Sequence, residues 1–314
     1  MSGRELVVLG TASQVPTRER THNGLLVRWG RRSVLIDPGE GTQRQLRLAG
    51  LTVTPIRDIL LTHLHADHCL GLPGVLQRLS LDGAPGPVHV RYPAAGHRYV
   101  ERLRYSTPYE DRTEVVLAPT EPGWVADADP EDADGLGLRA IALSHGPRDR
   151  PMPTLAWRLQ EPDGQRFDPG ALARLRVPPE ARTELARTGS VTVDGRRVER
   201  DAVSRHRPGQ HIAVVMDTRD GDGAREAASE VDLLVIEATF LDDQRALADA
   251  VGHLTAGQAA RLAWEVGARR VVLTHLSQRY PDGDGHLAEA RTAAPDLDVT
   301  VAADLDRVAL PPRR

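Results

Sequence analysis

Residues 62–68 read Thr-His-Leu-His-Ala-Asp-His, so three histidines and an aspartate fall within six positions. Histidine supplies only 12 of the 314 residues, and ordinary surface histidines do not cluster this densely. Neutral imidazole nitrogens and carboxylate oxygens are ligands that Zn²⁺, Mn²⁺ or Fe accept. Alternate residues of an extended loop point to one side. His63 and His65 can therefore grip one ion while Asp67 and His68 turn toward a second. The apolar run Ile59-Leu60-Leu61 just before the cluster reads as a buried strand, and ligand sites in open α/β sheets lie beyond strand carboxyl ends.

Two ions need more ligands than one loop offers. Three further polar residues close strand-like apolar runs: His145 after residues 138–143, Asp217 after 212–215, and His275 after 271–274. Alone, each reads as a capping or turn residue. Together with the first cluster they converge on one sheet edge, and the two oxygens of Asp217 can serve both ions.

The elements that must position these residues alternate along the chain. Strands are predicted at residues 5–9, 24–29, 33–37, 58–62, 88–90, 114–117 and 137–143, with helices at 40–49, 70–81 and 94–105. The second half repeats the theme, with strands at 210–215, 232–236, 269–273 and 298–301 and helices at 243–251, 255–266 and 286–295. Such βα alternation implies a layered α/β architecture with helix-covered sheets. Residues 160–207 differ. They hold ten Arg against eight Asp or Glu, little apolar content and many turn residues, and are expected to protrude rather than build the core. After His145, GPRDRPMPT reads as a long, proline-rich loop.

Composition bounds the rest. The chain is 40% hydrophobic and 27% charged, with 4% aromatics, so Leu, Val, Ile and Ala must make the core. All 40 basic residues are Arg, yet the net charge is −4, so no global basic field advertises nucleic-acid binding. Cys69 is the single cysteine, which excludes an intramolecular disulfide and suits a reducing compartment. The N-terminal apolar run is too short for a signal peptide, and no run approaches a membrane span. A soluble, cytoplasmic protein is expected.

The motif order LGTASQVPTRER, LIDPGEGTQRQL, LTHLHADHCLGLPGVL, MDTR, IEATF, GHLTAGQAA and LTHLSQRY resembles the metallo-β-lactamase superfamily and, more narrowly, ribonuclease Z, the endonuclease family that removes 3′ trailers from precursor tRNA. THLHADH marks only the superfamily; GEGTQ, GLPG, EATF and the HLT segment point to the narrower group. The resemblance covers nearly the whole chain. It implies one αββα sandwich over 1–314, with 160–207 inserted as a substrate-binding arm. It implies two Zn²⁺, one held by His63, His65 and His145, the other by Asp67, His68 and His275, with Asp217 bridging. Asp67 would also orient the attacking water, and Glu237 and His253 would form a relay that protonates the leaving oxygen. Without the resemblance, Glu237 reads as a solvated strand-end carboxylate, and His253 as a residue ahead of Thr255, a good helix N-cap.

Gly39, Gly41, Gly71 and Gly74 are expected to serve turns and close backbone approach. The loop from Pro16 to Asn23 departs from the family's Pro-x-Lys-x-Arg-Asn pattern, with Arg18, Arg20 and Thr21 in sequence and the asparagine delayed to Asn23. Past Pro178-Pro179 the arm lacks the family's Gly-Pro-rich tip. The implied partners are precursor tRNA and a second copy of the chain in a homodimer. Two other readings stand beside this one: a hydrolase of small phosphodiesters or other esters on the same fold, and a non-catalytic RNA- or protein-binding relative. A full set of seven ligand positions opposes the last.

Overall fold

Short runs of Val, Leu and Ile build two sheets. In the computed structural model, which describes residues 4–126 and 135–314, the first sheet has seven strands. Their order is Arg307–Ala309, Glu5–Gly10, Gly24–Trp29, Arg32–Ile36, Ile56–Leu60, Val88–Pro93 and Val115–Thr120. Pairing is antiparallel up to Arg32–Ile36 and parallel beyond it. The second sheet runs Asp298–Val301, Arg270–Thr274, Leu233–Glu237, His211–Val215, Met152–Gln160, Gly137–His145 and Gly123–Ala126. Here the first four strands are parallel and the rest antiparallel. The parallel strands are near-continuous apolar runs because both of their faces are covered.

Leu6, Val8 and Val34 of the first sheet pack against Leu138, Trp157 and Val214 of the second. On the outer face of the first sheet, Val7 and Leu35 meet the helix Leu72–Leu81 through Val75, Leu76 and Leu79. The second sheet is covered by alanine-rich helices, Asp222–Ala228, Ala256–Glu265 and Asp284–Ala293. The result is the expected αββα sandwich.

Trp157 ties the layers together at the site end. Its ring is fully buried, and its indole Nε1 donates to the carbonyl of Leu61 at 3.1 Å, one residue before the Thr62–His68 stretch. Leu155 N donates to Thr62 O at 2.9 Å beside it. Trp157→Ala leaves both a cavity and an unpaired carbonyl, so a loss of about 3–5 kcal/mol is expected, read as a lower urea midpoint. A loss below roughly 1 kcal/mol would show that the sheets are not locked here.

Some elements escape the sequence pattern. The proline-rich stretch after His145 is a short loop, because the strand Met152–Gln160 begins at its second half and crosses the middle of the sheet. Pro153 is tolerated near the strand start. The Gly/Asp-rich stretch after Asp217 contains the helix Asp222–Ala228. Gly123–Ala126 and Arg307–Ala309, both short edge strands, are too brief to register as periodic. The first three residues of the N-terminal run lie outside the described residues.

Glu161–Gln210, with Pro312–Arg314, forms a second unit. Its few apolar residues are gathered rather than scattered. Leu172, Val177, Leu185, Val191, Val198 and Val203 make a small core of its own. Asp168 caps the helix Pro169–Arg174 by accepting from Gly170 N and Ala171 N. The hairpin Ser190–Val193 with Arg196–Glu199 turns on Asp194-Gly195, both at positive φ, as a two-residue turn requires. A second hairpin pairs Gly164–Phe167 with Ser204–Arg207. Buried Glu161 anchors the unit's ends by accepting from Arg207, Gln210 N and Arg313.

Candidate metal centre

Every residue predicted as a ligand stands at or just past a strand's carboxyl end or in the turn that follows it. Thr62–His65 leaves the strand Ile56–Leu60 extended, and residues 66–69 then curl into one helical turn, Ala66–Cys69. That curl turns Asp67 and His68 toward His275, while the His68 ring stays 4.2 Å from that of His63. His145 ends the strand Gly137–His145, and Asp217 and His275 follow His211–Val215 and Arg270–Thr274. Asp217 (φ 39°), His275 (φ 63°) and Asp37 (φ 47°) all adopt the left-handed region, an unfavourable conformation for these residues that the surrounding site maintains.

Two groupings result. His63 Nε2, His65 Nδ1 and His145 Nε2 face one another, at 2.9 Å between His63 and His65 and 3.3 Å between His65 and His145. Asp217 Oδ2 approaches this group, 3.5 Å from His63 Nε2 and 3.6 Å from His145 Nε2. In the second grouping, His275 Nε2 lies 3.1 Å from His68 Nε2 and 3.3 Å from Asp67 Oδ2. Asp217 Oδ1 lies 3.3 Å from both of those histidines. One carboxylate thus turns one oxygen to each group. A third set, Asp217, His253 and His275, shares two members with these.

The outer ring nitrogens decide what the inner ones offer. His68 Nδ1 donates to Asp37 Oδ2 at 2.8 Å, and His145 Nδ1 donates to Gly252 O at 3.1 Å. Thr62 gives its hydroxyl proton to Asp37 and Thr239 gives its own to Glu237, so these hydroxyls accept from His63 Nδ1 and His275 Nδ1. The inner nitrogens are left as lone pairs pointing at one another, and Asp217 Oδ1 is buried with no donor among the described residues. Convergent lone pairs beside carboxylates are resolved by cations, so the donor set fits a pair of metal ions.

The electrostatics agree. Burial holds the pKa of His63, His65 and His145 below the ordinary imidazole value, so they stay neutral. Burial opposes charge on Asp67 and Asp217 too, but the surrounding histidines hold both carboxyls well below the usual range. For His68 burial lowers the pKa while Asp217, Asp67 and Asp37 raise it, with a net rise. The carboxylates are drawing positive charge into the cluster.

Beside the groupings, fully buried Glu237 accepts from His253 Nδ1 at 2.9 Å and from Thr218 N at 2.7 Å on Oε1, and from Thr239 Oγ1 at 2.6 Å on Oε2. It is not a solvated strand end. Burial lowers the His253 pKa, but Glu237 and Asp217 outweigh it and lift it to about 9. Thr255 is the expected N-cap of the helix Ala256–Glu265, with a reciprocal capping box to Gln258. The centre opens on a cavity of about 470 Å³ whose wall includes Arg150, Phe240, Leu247, Val251 and Arg279.

Asp37 and Gln14 are contributors that the sequence does not single out. Asp37, at the end of the strand Arg32–Ile36, orients His68 and supports Thr62. It obeys the same rule, a polar residue closing an apolar strand, that flags His145 and His275. Asn23 lies buried beneath the cluster on Asp37 and His68 rather than in the cavity wall. Gln14 N donates to Asp67 Oδ2 at 2.7 Å, an unreadable contact because it uses backbone. Gly39 and Gly71 carry the expected close approach. A Cβ on Gly39 would meet Asp67 O at 2.2 Å, and one on Gly71 would meet Gly39 O at 2.0 Å.

Comparison with known proteins places the chain in a family. A model of the metallo-beta-lactamase superfamily matches residues 17–158, and one of the beta-lactamase superfamily domain matches 202–276. Ribonuclease Z of Nocardia farcinica is 52% identical, with 100% of both chains covered. The chain belongs to the ribonuclease Z family. Another member, ribonuclease Z of Salinispora arenicola, is 49% identical over 100% of this chain and 98% of its own. Among solved structures, the short form of human tRNase Z aligns with a TM-score of 0.67 at 25% identity, covering 98% of this chain and 100% of that one. A diphosphatase of the PhnP family shares the fold with a TM-score of 0.61 at 17% identity, covering 98% of each chain.

Proposed function

We infer that the chain is a metal-dependent endoribonuclease that hydrolyses one phosphodiester to remove 3′ trailers from precursor tRNA. Full-length membership of the ribonuclease Z family supports the substrate, and the convergent inner nitrogens support the chemistry. His63, His65 and His145 with Asp217 Oδ2 would hold one ion, and Asp67, His68 and His275 with Asp217 Oδ1 the other. When bound, a pair of Zn²⁺ (or Mn²⁺ or Fe) ions neutralises the phosphate's developing charge and lowers the pKa of water.

The chain's own residues do the rest. Asp67, with Oδ2 fixed by Gln14 N–H, reaches the cavity and orients the attacking water. Glu237 holds His253 by Nδ1, which leaves Nε2 to present a proton to the departing ribose 3′-oxygen. Thr218 N–H and the Thr239 hydroxyl hold Glu237 in turn. Glu161–Gln210 serves as the tRNA-gripping arm through its arginines, and the working species is a homodimer. The single, buried Cys69 suits the cytoplasm, and among the described residues no helix is long and apolar enough to cross a membrane.

Two measurements test this. Elemental analysis of protein purified without chelator is expected to find two transition-metal ions per chain; trace metal would sink the dinuclear centre. Precursor tRNA should be cut to a tRNA with a 3′-hydroxyl and a trailer with a 5′-phosphate. If only a chromogenic small diester is turned over, the substrate reading fails while the hydrolase reading survives.

A further inference from the structure

We propose that Arg219 is a positioning residue that fixes His253 for delivery of the leaving-group proton, an inference that rests on the role given to His253 above. Arg219 is 7% exposed, and among the described residues its guanidinium bonds to carbonyls and makes no ion pair. Its Nη2 donates to Gly146 O at 2.6 Å and to Asp249 O at 3.2 Å. Gly146 follows His145, and Asp249 lies in the last turn of the helix Arg245–Val251, whose exit leads through Gly252 to His253. Carbonyls in a helix's last turn have no partner within the helix, and a cation there satisfies them.

This guanidinium therefore joins the loop carrying a ligand candidate to the turn carrying the acid. The two segments are pressed together elsewhere as well. Gly252 sits at φ +85°, and a Cβ there would meet Gly146 N at 2.6 Å. Gly252 O receives His145 Nδ1 at 3.1 Å. Two residues before Arg219 is Asp217, and between them Thr218 N–H binds the same Glu237 oxygen that holds His253. The run Asp217-Thr218-Arg219 thus contacts the metal groupings, the relay carboxylate and the helix end that leads into His253 in succession. Glu237 sets the direction of the His253 ring. Arg219 sets where its Cα stands relative to His145.

The leaving group separates this role from a merely structural one. A ribose 3′-oxygen departs poorly unless protonated, whereas 4-nitrophenolate departs from bis(4-nitrophenyl) phosphate without a proton. An acid displaced by about 1 Å costs on the order of 10²-fold, and only where a proton is needed. For Arg219→Gln, saturating single-turnover cleavage of precursor tRNA is expected to slow about 10–100-fold. Hydrolysis of bis(4-nitrophenyl) phosphate should stay within about three-fold, with unchanged ions per chain. Arg219→Lys, which keeps the charge but not the length and shape that bring the one nitrogen Nη2 to both carbonyls, should fall between parent and Arg219→Gln on RNA.

His253→Ala is assayed in parallel and should lose far more on RNA than on the nitrophenyl diester. If it does and Arg219→Gln slows both substrates equally, or neither, the positioning role is overturned while the relay stands. If His253→Ala itself shows no preference between the substrates, the relay reading fails and this inference falls with it. Should Arg219→Gln fold poorly, Arg219→Lys decides by the same ratio of rates.

Discussion

Asp67→Ala is expected to reduce hydrolysis of precursor tRNA and of a small diester alike, to below roughly a thousandth of the parental rate. The side chain joins two jobs. Its Oδ2 closes the second grouping, 3.3 Å from His275 Nε2 and 3.4 Å from His68 Nε2, and it lines the cavity where the attacking water must stand. Alanine leaves His68 and His275 with only the shared Asp217 as carboxylate partner, so about one ion per chain should be lost along with the rate. Asp67→Asn separates the jobs. Its amide oxygen can still act as a ligand and still accept from Gln14 N–H, but it carries no charge and takes no proton from water. It should keep more metal than alanine while remaining nearly as slow. Elemental analysis beside rates on both substrates reads this out. A parental rate for either variant would remove Asp67 from the chemistry, and a loss confined to precursor tRNA would make it a substrate contact instead.

How much of this site could be read from the chain depends on how local each signal is. His63, His65, Asp67 and His68 lie on one loop, and His145, Asp217 and His275 each follow an apolar strand, so a rule about strand ends finds them all. Asp37 obeys the same rule but lies 26 residues before His63 without a histidine beside it, so nothing drew attention to it. Glu237 and His253 needed a family resemblance, because a carboxylate and a histidine 16 residues apart have no spacing that requires contact. Gln14 and Gly252 act through backbone atoms, which any residue carries. For the fold, the parallel strands are legible as unbroken Val-Leu-Ile runs. Met152–Gln160 is not, since prolines at 151 and 153 outweigh the Thr-Leu-Ala-Trp run behind them when the chain is read locally. Trp157 on the carbonyl of Leu61 shows what that reading lacks: a partner 96 residues away in the other sheet. Glu161–Gln210 fails for another reason. Its core rests on a handful of Val, Leu and Ala residues spread between Ala171 and Val203, too sparse to show as periodicity.

Converting Arg166, Arg176, Arg182, Arg187 and Arg196 to glutamine is expected to weaken precursor-tRNA cleavage at limiting substrate by about 10²-fold or more, and to spare small-diester hydrolysis. These five arginines of the second unit are exposed and, among the described residues, make no ion pair. Arg197, Arg205 and Arg207 are instead committed to Glu199, Asp168 and Glu161. Unpaired guanidinium groups gain most from RNA phosphates, because no internal partner must be given up first. None of the five contributes to the unit's apolar core or to the Glu161 anchor, so the unit should keep its fold. The contacts release counterions when RNA binds, and each one lost should flatten the plot of log affinity against log salt by roughly one unit. A small diester presents no phosphate beyond the reacting one, so its hydrolysis should change by less than about three-fold. The KM for precursor tRNA should therefore rise while the single-turnover rate at saturation stays near parental. If both fall together, the unit supports the catalytic centre rather than gripping RNA. If cleavage and its salt dependence are unchanged, the arm assignment is wrong, and affinity for tRNA must come from elsewhere on the chain.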